Sequence, residues 1–189
     1  MDPRNELVRY YRLLRQYGLN DSHSGNASVR DGNTVWVTPT GCCADTLEPG
    51  DLVRCDLDGA LGEGASLDAP LHVLVYRKNP DAGAVLHSHG AHSVAMTLNG
   101  EDFVPVDFEG LYYFPRVPVI NAPYDDYVSR SPELISEVLR DHRITLYRGH
   151  GVYAQGATLN LAYKWTSSLE LSARTAWLAK LAGTTGTPT

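Results

Sequence analysis

The segment SLDAPLHVLVYRKNPDAGAVLHSHG, Ser66 to Gly90, decides how the chain reads. Ala69 to Arg77 predicts a helix, with Pro70 near its start and Asp68 in the capping position. Ala82 to His87 is a short apolar run and predicts a buried strand. The strand ends in Val85-Leu-His-Ser-His89. Two histidines one residue apart on a strand point to the same side, and imidazoles so placed can share one metal ion.

Working outward, Pro3 to Tyr17 carries Leu7, Val8, Tyr11, Leu14 and Tyr17 at helical spacing, with Asp2 as cap and Gly18 as terminator. Ala27–Arg30 and Thr34–Val37 alternate as strands around the hairpin turn Asp31-Gly32-Asn33. Leu52–Leu57 predicts another strand. Beyond Gly90, helices are expected over 91–98 and 131–141, the latter with Ser131 as cap and Pro132 in its first turn. Strands are expected over 104–108, 117–120 and 144–147, with residues 151–154 as a continuation of that sheet. A long helix over 158–181 shows one broad apolar face. Helices interleave with hairpin-linked strands, which favours an α/β fold with a largely antiparallel sheet and helices on its faces. No repeat or linker divides residues 1–189, so one domain is expected, with a flexible tail from about residue 183.

Hydrophobic residues make up 43% of the chain and charged residues 20%, ordinary for a globular domain. The net charge of −6 argues against nucleic acid and anionic membrane as partners. A small site can still be locally positive, so an anionic substrate is not excluded. The N-terminus lacks an apolar signal segment, and no apolar run approaches a membrane span. Three cysteines, Cys42 and Cys43 adjacent, form no disulfide framework. Together these features lead us to expect a cytoplasmic protein.

A third histidine, His150, lies in Arg148-Gly-His-Gly151, directly after a predicted strand. Its flanking glycines allow a tight turn and close approach, so His150 can close a three-histidine set with His87 and His89. A His-x-His pair can equally be structural or exposed. His92 is expected to point elsewhere, His72 to be a hydrogen-bonded structural residue, His23 to lie within reach of substrate and His142 to be solvated. The loops Ser24-Gly-Asn-Ala-Ser28 and Thr38-Pro-Thr-Gly41 offer hydroxyls and free amides that can cradle a phosphate, though these residues are also ordinary turn formers. Asp68 reads either as a helix cap or as a metal ligand or proton-transfer group.

In chain order, GNASVR, TPTG, the Ser66–Gly90 segment and LYRGHGVYAQG resemble the class II aldolase/adducin family over nearly the whole chain. The resemblance implies a three-layer α/β/α fold with a mostly antiparallel central sheet, and a C4 homotetramer with sites between subunits. It implies one divalent metal per subunit on His87, His89 and His150: zinc first, with manganese, cobalt or iron(II) as alternatives. It places phosphate contacts on Gly25, Asn26, Thr40, Gly41 and Ser66. The implied activity is that of an aldehyde-lyase acting on a small phosphorylated sugar. It would cleave or form a sugar 1-phosphate from dihydroxyacetone phosphate and a short aldehyde, through a metal-stabilised enediolate. Asp68 would move a proton, and Glu109 with Tyr112 or Tyr113 would serve the aldehyde oxygen, reaching it from a neighbouring subunit. Two departures stand out. Aldolases of the family usually carry glutamate at Asp68, where the epimerase branch carries aspartate, and Leu67 replaces a frequent second serine. A sugar-phosphate 4-epimerase or a decarboxylase would use related chemistry. An adducin-like scaffold is the non-enzyme alternative, and it would have no use for three metal ligands.

Overall fold

The computed structural model describes residues 2–184 and Gly186. Asp2 caps the first helix, α1 (Pro3–Gln16), by accepting the Arg4 N–H at 2.9 Å. The strands are β1 (Asn26–Asp31), β2 (Thr34–Val37), β3 (Val53–Asp56), β4 (Ala84–Ser88), β5 (Val119–Ile120), β6 (Ile144–Tyr147) and β7 (Gly151–Gly156). They form one sheet in the order β3-β2-β1-β4-β7-β6-β5. Every pairing is antiparallel except β5 with β6. The remaining helices are α2 (Ala69–Lys78), α3 (Ala91–Met96), α4 (Phe108–Tyr113), α5 (Tyr127–Asp141) and α6 (Leu159–Ala182).

Side chains alternate across the sheet and so meet two helical layers. On one face Val35, Val37, Val85 and Tyr153 pack with Leu71 and Val75 of α2 and Ile135 and Leu139 of α5. On the other, Ala27, Val29, Ala84 and Leu86 meet Leu7 and Leu14 of α1 and Leu159 and Ala162 of α6. Farther along, Leu169 and Ala173 of α6 cover Ile144, Leu146, Val152 and Ala154. This is the expected three-layer α/β/α arrangement. No helix among the described residues is long and apolar enough to cross a membrane.

Two expectations are corrected. Residues 104–108 are not a strand. Phe103 alone bridges to Val117, Pro105 has no N–H for a ladder, and the Asp107 carboxylate accepts the Gly110 N–H at 2.9 Å to start α4. The helix expected from Ser131 starts at Tyr127, after a 3₁₀ turn at Tyr124–Asp126. Pro132 therefore lies inside α5, where it cannot donate to the Val128 carbonyl. The flexible tail expected from about residue 183 lies largely outside the described residues. Gly183 closes α6 in the left-handed conformation, and beyond Thr184 only Gly186 is described.

Leu86 of β4 is fully buried, packed in the layer with α1 and α6. Leu86→Ala should cost about 2–5 kcal/mol, read as a lower urea midpoint at unchanged slope.

Candidate metal centre and its carboxylate

β4 and β7 pair with His87 opposite Tyr153 and Ser88 opposite Val152. His87 thus shares the α2/α5 face with Val85, and its ring lies flat on that of Tyr153, with centroids 4.0 Å apart. His89 follows just past the strand end. His150 sits on the turn from β6 to β7, closed by its own N–H to the Tyr147 carbonyl at 3.0 Å. Gly149 in that turn has φ +69°. At Gly151 a Cβ would stand 2.4 Å from the Ser88 carbonyl oxygen and 2.9 Å from the His87 ring, so only glycine lets the turn close on the histidines.

One ring nitrogen from each of His87, His89 and His150 lies within 4.8 Å of the others. His87 Nε2 and His150 Nε2 are 3.3 Å apart. Tetrahedral zinc with imidazole nitrogens at roughly 2.0–2.1 Å requires about the same separation. The outer nitrogens are engaged: His87 Nδ1 donates to the Val152 carbonyl at 3.0 Å, and His89 Nδ1 faces Asn20 Oδ1 at 3.2 Å. That leaves Nε2 of both rings with a lone pair for a cation. Burial pushes all three histidines below their ordinary pKa, His89 to about 4, and their mutual repulsion adds to the effect at His87 and His89. They are neutral at pH 7, the ligating form. The donor set fits a divalent metal.

Asp68 occupies the capping position of α2 by its backbone, but its side chain caps nothing. It turns inward and is 7% exposed. Oδ1 accepts the Tyr127 hydroxyl at 2.7 Å. Oδ2 accepts Asn26 Nδ2 at 2.9 Å and the Tyr153 hydroxyl at 3.3 Å, and lies 4.0 Å from His87 Nε2. Burial raises its pKa, but His87 and the Asn26 and Tyr127 hydrogen bonds outweigh that and hold it below the usual value. Burial, and then the Asp68 charge, keep both phenols protonated. Beside His150 a cavity of about 330 Å³ opens between Tyr124, Tyr127 and Tyr147.

The structure therefore brings Asp68, His87, His89 and His150 together. Asn26 stands opposite His87 across β1 and β4. The Ser66 hydroxyl accepts the Asp68 N–H at 3.3 Å, and Thr40 and Gly41 lie exposed on the adjoining loop. The amides of Thr40 and Ser66 are not free; they donate to the Gly64 and Thr38 carbonyls. Gly25, with φ +70°, packs against the His87 carbonyl and Asn20. Glu109 and Tyr113 are on α4, which packs on α6. Glu109 is exposed, Tyr113 packs on Trp165, and neither has a hydrogen bond to Asp68 or the three histidines among the described residues. His92 pairs with Glu170 at 2.7 Å and His72 with Ser28 at 2.7 Å, both away from the ligand set. Sequence reasoning missed Tyr127 and Tyr153. Tyr153 had a signal, since it alternates with Val152 and Ala154 on a predicted strand. Tyr127 had none, because Pro132 marked the helix start four residues too late.

Zinc content should be one ion per chain in the wild-type protein and fall at least tenfold in His87→Ala and His150→Ala, measured by plasma emission after dialysis. Stability should also depend on pH. Folded His72 and His89 titrate near 4 against 6.5 in the unfolded chain. Between those values the unfolded chain binds more protons, so these two histidines make the metal-free protein lose stability as pH falls from 6.5 toward 4, and they contribute no pH dependence above that window. A urea midpoint equal at pH 7.5 and 5 would contradict this.

A family model for the Class II Aldolase and Adducin N-terminal domain matches residues 5–177. The chain is 30% identical over 173 residues to an L-fuculose phosphate aldolase of Methanocaldococcus jannaschii, covering 90% of this chain and 93% of that protein. It is 33% identical over 184 residues to a 3-oxo-tetronate 4-phosphate decarboxylase of Haemophilus influenzae, covering 89% and 83%. The crystal structure of L-fuculose-1-phosphate aldolase from Thermus thermophilus superposes with a TM-score of 0.88 at 32% identity, covering 98% of this chain and 97% of that one. With its motifs, fold and histidine cluster in agreement, the chain belongs to the class II aldolase/adducin family.

Proposed function

We propose that the protein is a metal-dependent aldehyde-lyase that cleaves or forms a sugar 1-phosphate from dihydroxyacetone phosphate and a short aldehyde. The observation that carries this reading is a buried carboxylate set 4.0 Å from a ring nitrogen of a neutral three-histidine cluster. His87, His89 and His150 would hold one divalent ion, zinc first, with manganese, cobalt or iron(II) as alternatives. When bound, that ion supplies Lewis-acid stabilisation of the enediolate left by carbon–carbon cleavage.

Asp68 is the proton-transfer group. Hydrogen bonds from Tyr127 and Asn26 keep it ionised and oriented toward the histidines, so it can take a proton from a substrate hydroxyl or carbon and return it. The loops carrying Gly25, Asn26, Thr40, Gly41 and Ser66 receive the phosphate through hydroxyls, the Asn26 side-chain amide and the remaining amides. Glu109 and Tyr113 serve the aldehyde oxygen from a neighbouring subunit of a C4 homotetramer, which fits their position on α4 away from the histidines of their own chain. We take the enzyme to be cytoplasmic.

Asp68 favours a second reading. It is a methylene shorter than glutamate, which suits the epimerase branch, where the aspartate approaches the metal. A sugar-phosphate 4-epimerase would run the same retro-aldol step and hold the fragments. A decarboxylase would form a related enolate, and the relative from Haemophilus influenzae is named for that reaction.

Zinc-loaded protein incubated with dihydroxyacetone phosphate and a panel of short aldehydes should form carbon–carbon bonds. Epimer interconversion of a pentulose phosphate, or carbon dioxide release from a phosphorylated keto acid, without aldol products would replace the aldolase reading. Asp68→Asn should lower kcat by roughly 10²–10⁴ with zinc retained. Unchanged turnover would remove Asp68 from proton transfer.

A further inference from the structure

We infer that Glu170 is a positioning residue for the metal centre: from α6 it caps α3 and so fixes the place of His89. This rests on the reading of His87, His89 and His150 as one metal site. The three histidines are not held alike. The β4–β7 ladder fixes His87, and the closed turn after β6 fixes His150. His89 lies past the end of β4, outside that ladder. Its N–H reaches the Leu19 carbonyl at 2.8 Å and Asn20 Oδ1 at 2.9 Å, which restrains the side toward β4. On the other side the chain runs through Gly90 straight into α3.

α3 has six residues, too few to hold as a helix by its own hydrogen bonds. Its cap position is Gly90, which has no side chain to satisfy the first amides. Glu170 supplies that cap from α6. Oε1 accepts the His92 N–H at 2.9 Å and Oε2 accepts the Ser93 N–H at 2.9 Å. These are the second and third amides of the helix, the ones a local capping side chain would take. The same carboxylate meets His92 Nδ1 at 2.7 Å and accepts the Ser93 hydroxyl at 2.6 Å. Its side chain is 14% exposed, and the neighbouring Leu169 and Ala173 seat its helix in the core. A Cβ on Gly90 would collide with Oε2, so the residue joining His89 to α3 must be glycine for the cap to close. One carboxylate therefore ties down the segment that carries His89 away from the sheet.

The test compares wild-type protein with Glu170→Ala, Glu170→Gln and Gly90→Ala, the last of which displaces the carboxylate without removing it. Leu139→Ala, a core change on α5, is the control for lost stability alone. Zinc affinity is measured by competition with a chelator. Cobalt(II)-loaded proteins are read by their visible absorption, and metal-free crystal structures locate His89. In Glu170→Ala and Gly90→Ala zinc affinity should fall roughly 10- to 100-fold. The cobalt bands should shift as the ligand geometry changes, and His89 should move relative to His87. Glu170→Gln turns a donor toward one of the two amides, so it should show the same changes to a smaller degree. It carries the test if the alanine variant does not fold. Leu139→Ala should lower the urea midpoint and leave zinc affinity and the cobalt bands unchanged. A loss below about tenfold in both Glu170→Ala and Gly90→Ala, an unmoved His89, or an equal loss in Leu139→Ala would overturn the proposal. If wild-type protein takes up no zinc, the metal reading fails, while the His89 position in the metal-free variants still decides the role of Glu170.

Discussion

The antiparallel pairing of β4 with β7 is the constraint on which the rest of the structure depends. It sets His87 against Tyr153 and brings the β6–β7 turn, with His150, to the same end of the sheet. Side chains alternate with a period of two, so a slip of one residue would turn His87 toward α1 and α6 and empty the site. Burial on both faces prevents that slip. Val85 is enclosed by α2 and α5, while Ala84 and Leu86 are enclosed by α1 and α6. The β1–β4 register then places Asn26, and the helices on that face bring in Asp68 and Tyr127.

The electrostatics follow from this enclosure. An uncompensated buried carboxylate is destabilising by about several kcal/mol. Asp68 is compensated by donors from three separate elements: Asn26 on β1, Tyr127 on α5 and Tyr153 on β7. The same low-dielectric surroundings keep the phenols protonated and the imidazoles neutral. The result is one negative charge beside three uncharged lone-pair donors, an arrangement that favours a divalent cation over an anion.

The failures of sequence reasoning have local causes. Pro132 after Ser131 has the pattern of a helix start, and local pattern cannot show that the preceding turn is held by tertiary contacts. One of those contacts is Tyr127, whose hydroxyl reaches Asp68 59 residues away. Asp68 has the pattern of a cap because it precedes a proline-started helix. Whether its carboxylate turns to the helix or to the sheet depends on donors at residues 26, 127 and 153, which spacing does not reveal. Val104–Phe108 has strand composition, but Pro105 and the Asp107 cap redirect it.

By itself the sequence determined the alternation of helices and strands, the layered α/β class, and the three histidines with the glycines that let their turn close. Those features depend on periodicity and on neighbours within a few residues, which a linear reading contains. Only the tertiary structure decided that the ligand nitrogens converge, that Asp68 is aimed at them and that Tyr127 and Tyr153 attend it. It also placed Glu109 and Tyr113 on α4, without a hydrogen bond to that cluster. These outcomes depend on strand register and helix packing, where groups distant in sequence compete for the same buried hydrogen bonds.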